Sequence, residues 1–134
     1  MNRTHLECAA ERLAAERGYA FHALGQEAQP AVVRTYPAAL LQPLALRSVE
    51  GRTHGRAVYD LTLRLLCKGA GLSPEARSEA FAALEDDLLG LFSELSQDEK
   101  VIAVEALEIR PSAFTLTPHG ELSQTASARI VTWF

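Results

Sequence analysis

Cysteine, methionine and tryptophan are nearly absent from this sequence, at two, one and one residue in 134. Two cysteines, Cys8 and Cys67, cannot staple a disulfide framework, and they fit a reducing compartment. No apolar run approaches the ~18 residues of a membrane span, and the polar start Met1-Asn2-Arg3-Thr4-His5 does not read as a signal peptide. No membrane partner is expected. The 8 Gly and 6 Pro are scattered, which excludes collagen-like and low-complexity readings. Disorder is excluded as well, because 48% of residues are hydrophobic and the net charge is only −4. What remains is an ordinary globular composition, read as one domain over 1–134 and long enough to bury roughly two-thirds of its unfolded surface.

Recognisable catalytic machinery is also lacking. The glycines of Lys68-Gly69-Ala70-Gly71 are not followed by the Gly-Lys-Ser/Thr of a phosphate loop. Ser, His and Asp are scattered, with no nucleophile elbow. Glu85-Asp86-Asp87 resembles a carboxylate cluster, but helical neighbours diverge by ~100° each and cannot act as a pair. Glu105 and Glu108 are expected on opposite faces of a strand. His5 and Cys8, three apart, could offer two metal ligands, yet no compact motif among His22, His54 and His119 completes the set. The expectation is no catalytic residue, no cofactor and no metal.

Charge is present but segregated. Residues 1–72 hold nine Arg/Lys against six Asp/Glu, a balance of +3. Residues 73–100 hold two against eight, or −6, and residues 101–134 hold two against three, or −1. So acidic a middle segment repels nucleic acid, and no sequence-specific nucleic-acid partner is expected.

The first helix is signalled by Thr4 and Glu7 as a capping box, by Leu6, Ala9, Ala10, Leu13 and Ala14 at helical spacing, and by Gly18 as its stop. Residues 19–22 read as a short strand, 25–30 as a loop and 31–36 as extended. Residues 38–48 read as a strand that Pro43 confines to an edge or a bulge. After a loop at 49–55, Tyr59, Leu61, Leu63, Leu65 and Cys67 alternate with Asp60, Thr62, Arg64 and Leu66, the pattern of a strand with one buried face. Ser73-Pro74-Glu75 opens a long amphipathic helix, with cap, first-turn proline and dipole-matched acid in order. Ala80, Phe81, Leu84, Leu88, Leu91, Phe92 and Leu95 form its apolar stripe, and Gly90 within it suggests close packing. Residues 101–110 and 122–134 read as strands, with 113–117 continuing the first and 117–120 turning. The order α-β-β-α-β-β predicts an α+β fold: an antiparallel, or mixed, sheet of about four strands with two helices on one face.

Two surface features stand out. Arg52, His54 and Arg56 crowd a glycine-flanked hairpin tip, either a plain turn or a contact for a charged partner. At the C-terminus Ile130, Thr132 and Phe134 share one strand face, while Val131 and Trp133 share the other and form an apolar pair to be covered by the core or by a subunit.

This order of elements resembles the lambda-type tail terminator and minor tail proteins of long-tailed bacteriophages. The resemblance is carried by Tyr36-Pro37-Ala38-Ala39-Leu40-Leu41, by Ala57-Val58-Tyr59-Asp60-Leu61-Thr62-Leu63, by the helix at 73–96, and by Thr125-Ala126-Ser127-Ala128-Arg129-Ile130-Val131-Thr132-Trp133-Phe134. It covers most of the chain and brings no catalytic signature. It implies a structural virion component assembled in the bacterial cytoplasm, a homo-oligomeric ring, typically a hexamer, that caps the tail tube and meets head-neck proteins. Another neck or connector subunit, a small intracellular adaptor and a minor enzyme are the alternatives. Joined to the charge segregation, the ring implies a head-to-tail contact. In it the acidic helix surface around Glu79, Asp86 and Asp87 faces Arg52, Arg56 or Arg64 of the next copy.

Overall fold

The computed structural model describes residues 2–23, 35–111 and 120–134. The described elements are α1 (Asn2–Glu16), β1 (Ala20–Ala23), β2 (Ala38–Leu41), β3 (Ala45–Gly51), β4 (Gly55–Cys67), α2 (Pro74–Leu95), β5 (Val101–Pro111) and β6 (Leu122–Trp133). The fold is α+β, with two helices and a mixed sheet of six strands. That is a larger sheet than the four strands expected. Along it the order is β1-β2-β4-β6-β5, with β3 paired to β4 beside β2.

The strand read at 38–48 is two strands on one edge of β4. Leu41 pairs with Leu63 and Ala45 with Asp60, so the chain keeps its direction while the register slips by one across Pro43. Proline has no N–H for the ladder, and the break falls where no further strand lies outside among the described residues. The ladder then resumes through Val49 and Gly51, which the sequence had placed in a loop. At the turn Gly51 has φ +103, and a Cβ there would come within 3.0 Å of the His54 carbonyl oxygen, so glycine is required. β1 pairs with β2 in parallel, which the intervening residues 24–37 are long enough to permit.

Both helices cover one face. Leu6, Leu13, Leu84, Leu88, Leu91, Phe92 and Leu95 join Tyr59, Leu61, Leu63 and Leu65 in one buried cluster. Phe81 of the expected stripe is only half-buried, and its carbonyl accepts a hydrogen bond from Gln124 instead. Ser73 caps α2 as anticipated, its Oγ accepting from the Ala76 N–H at 3.2 Å. α1 begins before Thr4, which is therefore an interior residue and not a cap. It ends as expected: Gly18 has φ +83, the Tyr19 N–H reaches the Ala14 carbonyl at 3.1 Å and the Gly18 N–H reaches Ala15 at 3.0 Å.

β5 carries two irregularities against β6. Glu105 pairs with Arg129 and Glu108 with Ser127, so three residues of β5 oppose two of β6. The extra residue, with Ala106 at φ +54, brings Glu105 and Glu108 onto the same face, correcting the alternation expected of a regular strand. The readings at 25–30, 31–34 and 112–119 lie outside the described residues.

Candidate assembly surfaces

The structure separates the residues singled out from the sequence into engaged and open ones. Arg64 lies on the sheet face away from the helices, where its Nε donates to Thr125 Oγ1 at 2.9 Å. Asp87 is half-buried and accepts from the Tyr19 hydroxyl at 2.5 Å. Burial and this carboxylate together push the Tyr19 phenol well above its usual range. Burial likewise raises the Cys67 thiol. Val131 is 6% exposed and Trp133 44% exposed. The indole is already held, its Nε1–H donating to the Glu99 carbonyl at 2.8 Å and its ring lying 4.7 Å from the Lys100 ammonium. The pair therefore leaves one partly covered ring in place of an open apolar patch.

Arg52, His54 and Arg56 are open. The tip of the β3–β4 hairpin holds them, and no described side chain bonds to them. Glu79 and Asp86 are exposed along α2. The helices lie on one side of the sheet and Arg56 and Arg64 on the other, so the acidic helix surface and these arginines occupy opposite sides of the molecule. The far face is mixed in charge, because Arg47 pairs with Asp60 at 3.3 Å and Arg129 stands beside Glu105.

The exposed apolar residues at the sheet edges were not singled out from the sequence. β3 is exposed along its whole length, with Leu46 and Val49 at 48% and 53%. On the helix side they border a groove of about 570 Å³ with Tyr59, Phe134 and the first residues of α1. Arg3 crosses that groove, its guanidinium 5.6 Å from the Tyr59 ring centre and one nitrogen donating to the Leu44 carbonyl. At the opposite edge Leu89 and Ile102 are 48% and 45% exposed, beside a groove of about 250 Å³ between α2 and β5. Leu89 had left a signal, since it falls one residue outside the periodic stripe of α2. Val49 left none once it was read as loop.

His5 Nε2 meets Asp98 Oδ1 at 2.7 Å, tying α1 to the turn before β5. Burial opposes ionisation of Asp98, but the Lys100 N–H and His5 outweigh it and hold this carboxyl below the ordinary range. Among the described residues no three His, Cys, Asp or Glu side chains converge as metal ligands would. His22 Nε2 and Ser123 Oγ are buried without hydrogen-bond partners, but β2 and β4 stand between their strands, so they form no common site. No described helix is long and apolar enough to cross a membrane.

Comparison with protein-family models and with curated proteins finds no match for this sequence.

Proposed function

We propose that this chain is a structural subunit of a long-tailed bacteriophage, a tail terminator whose copies form a ring on the end of the tail tube and present a surface to the head-neck proteins. It is a virion component assembled in the bacterial cytoplasm, and the reading assigns it no catalysis, cofactor or metal. The observation that carries it is the presence of two unlike exposed surfaces on one small domain. One is the acidic surface of α2 with Glu79 and Asp86; the other includes the hairpin with Arg52, His54 and Arg56. Rings are built from contacts of this kind, in which one patch of a subunit meets a different patch of the next.

Exposed ion pairs are each worth only about 0–1 kcal/mol, so charge sets register and association rate while apolar contact supplies most of the affinity. Asp87 and Arg64 already have partners within the chain, which leaves Glu79 and Asp86 with Arg52 or Arg56 as the pairs to examine. Electron microscopy of the purified protein with tail-tube protein tests the reading. A ring seated on the tube end supports it, whereas a protein that stays monomeric and off the tube contradicts it.

A further inference from the structure

The sheet face away from the helices carries its charges in rows. Asp60 stands opposite Arg129 and Arg129 opposite Glu105, and one row along Thr62 stands opposite Ser127 and Ser127 opposite Glu108. The bulge at Ala106, with φ +54, sets Glu108 on this face beside Glu105. Arg129 and Glu105 are exposed, and among the described residues neither bonds to another side chain, although they are neighbours across the ladder. Arg47 reaches the first row from β3, 3.3 Å from Asp60, but the two side chains stay 47% and 43% exposed and open to a further partner. Arg47, Asp60, Thr62, Ser127 and Arg129 line a dent of about 360 Å³ in the middle of the face.

Such a face is complementary to itself. A two-fold axis lying in the contact plane, parallel to the strands and midway between β4 and β6, sets β4 of one copy over β6 of the other without moving any row. Each residue then faces its own ladder partner on the neighbouring copy. Asp60 meets the neighbour's Arg129, Arg129 meets its Asp60, and Thr62 meets its Ser127. The same operation lays β3 over β5, which brings Arg47 to the neighbour's Glu105. A closed contact of this kind uses one patch twice. The dent straddles the axis, so the exposed Arg129 side chain of each copy enters the hollow of the other beside Asp60. A slip of one row would set Arg129 over Thr62 instead, so the charges also fix the register. The buried cluster of Ala38, Leu40 and Leu66 occupies the same face but lies at the Arg64 end of β4 and beyond. The contact is therefore the section around Val58–Thr62, clear of that cluster and of the acidic side of α2.

We propose that this sheet face is a two-fold docking surface for a second copy of the chain, in which Asp60 and Arg129 pair reciprocally and Arg47 meets Glu105. The contact goes beyond the ring reading: it joins single copies in pairs, or whole rings back to back, and does not depend on the ring. Native mass spectrometry at low salt tests it on the wild type, on Asp60→Arg, on Arg129→Asp, and on the two variants prepared separately and then mixed. Each single reversal sets like charges against each other on both sides of the axis, so the copy number of each variant should be half that of the wild type. The mixture should return to the wild-type number with both variants in equal amounts. One variant then presents two basic groups at these positions and the other two acidic ones, and a loss of fold cannot produce that rescue. A wild-type copy number in either variant, or a mixture that does not recover, overturns the face contact. The ring reading is decided separately, by attachment to the tail tube: a ring on the tube whose copy number neither variant changes overturns this contact alone.

Discussion

Single residues in this fold are held by requirements that differ in kind, and substitutions should separate them. Gly51 is required by backbone geometry: its φ of +103 and the approach of the His54 carbonyl exclude a side chain. Gly51→Ala should cost about 1–3 kcal/mol in urea unfolding, and an unchanged midpoint would show that the hairpin tip relaxes freely. Asp98 is held by hydrogen bonds from the Lys100 N–H and His5 that keep its carboxyl below the ordinary carboxylate range despite its partial burial. A carboxyl depressed by folding adds stability that is complete above about pH 4 and drains away as pH falls through its lower folded value. Asp98→Asn should therefore lose most against the wild type at neutral pH, with the gap narrowing on acidification. A gap constant with pH would assign the loss to packing instead.

Elements show where physical signals in the sequence are strong enough to read. α2 was legible end to end because cap, first-turn proline and apolar period all agree, and the alternation of β4 identified the core face it covers. Leu88 is fully buried between them, so Leu88→Ala should cost about 2–5 kcal/mol through the cavity left. A cost under about 1 kcal/mol would contradict the packing. The sequence pattern suggests close packing at Gly90, and the neighbour is the Arg17 guanidinium, 3.0 Å from where a Cβ would stand. That side-chain end can yield, so Gly90→Ala should raise the melting temperature, by up to about 1 kcal/mol of helix propensity. A fall would mean that the Arg17–Glu94 pair cannot move. What stayed hidden was set by pairing across the sheet. The break at Pro43 was visible, but not that β2 and β3 share one edge of β4. Nor can any local pattern show that a bulge at Ala106 brings Glu105 and Glu108 together, since a bulge is defined by the strand opposite. The candidate site was legible only in its charges, because open charged residues keep their meaning in isolation, while Leu46, Val49, Leu89 and Ile102 look like core until burial is known.

At the scale of the whole molecule, the helices cover one sheet face, the other face holds a smaller buried cluster of Ala38, Leu40 and Leu66, and apolar residues are exposed on opposite sheet edges. A subunit of a closed ring needs this polarity, because each copy must offer one surface and accept another. If charge guides the approach, raising salt until the screening length falls from ~10 to ~3 Å should slow assembly while leaving the final oligomer intact. Association equally fast at both salt levels would remove charge from the account and leave the apolar edges alone. The most direct test of the central claim is the mass of the native particle in solution, with and without tail-tube protein. The account predicts a single closed oligomer of uniform copy number that attaches to the tube, and a monomer under both conditions would contradict it.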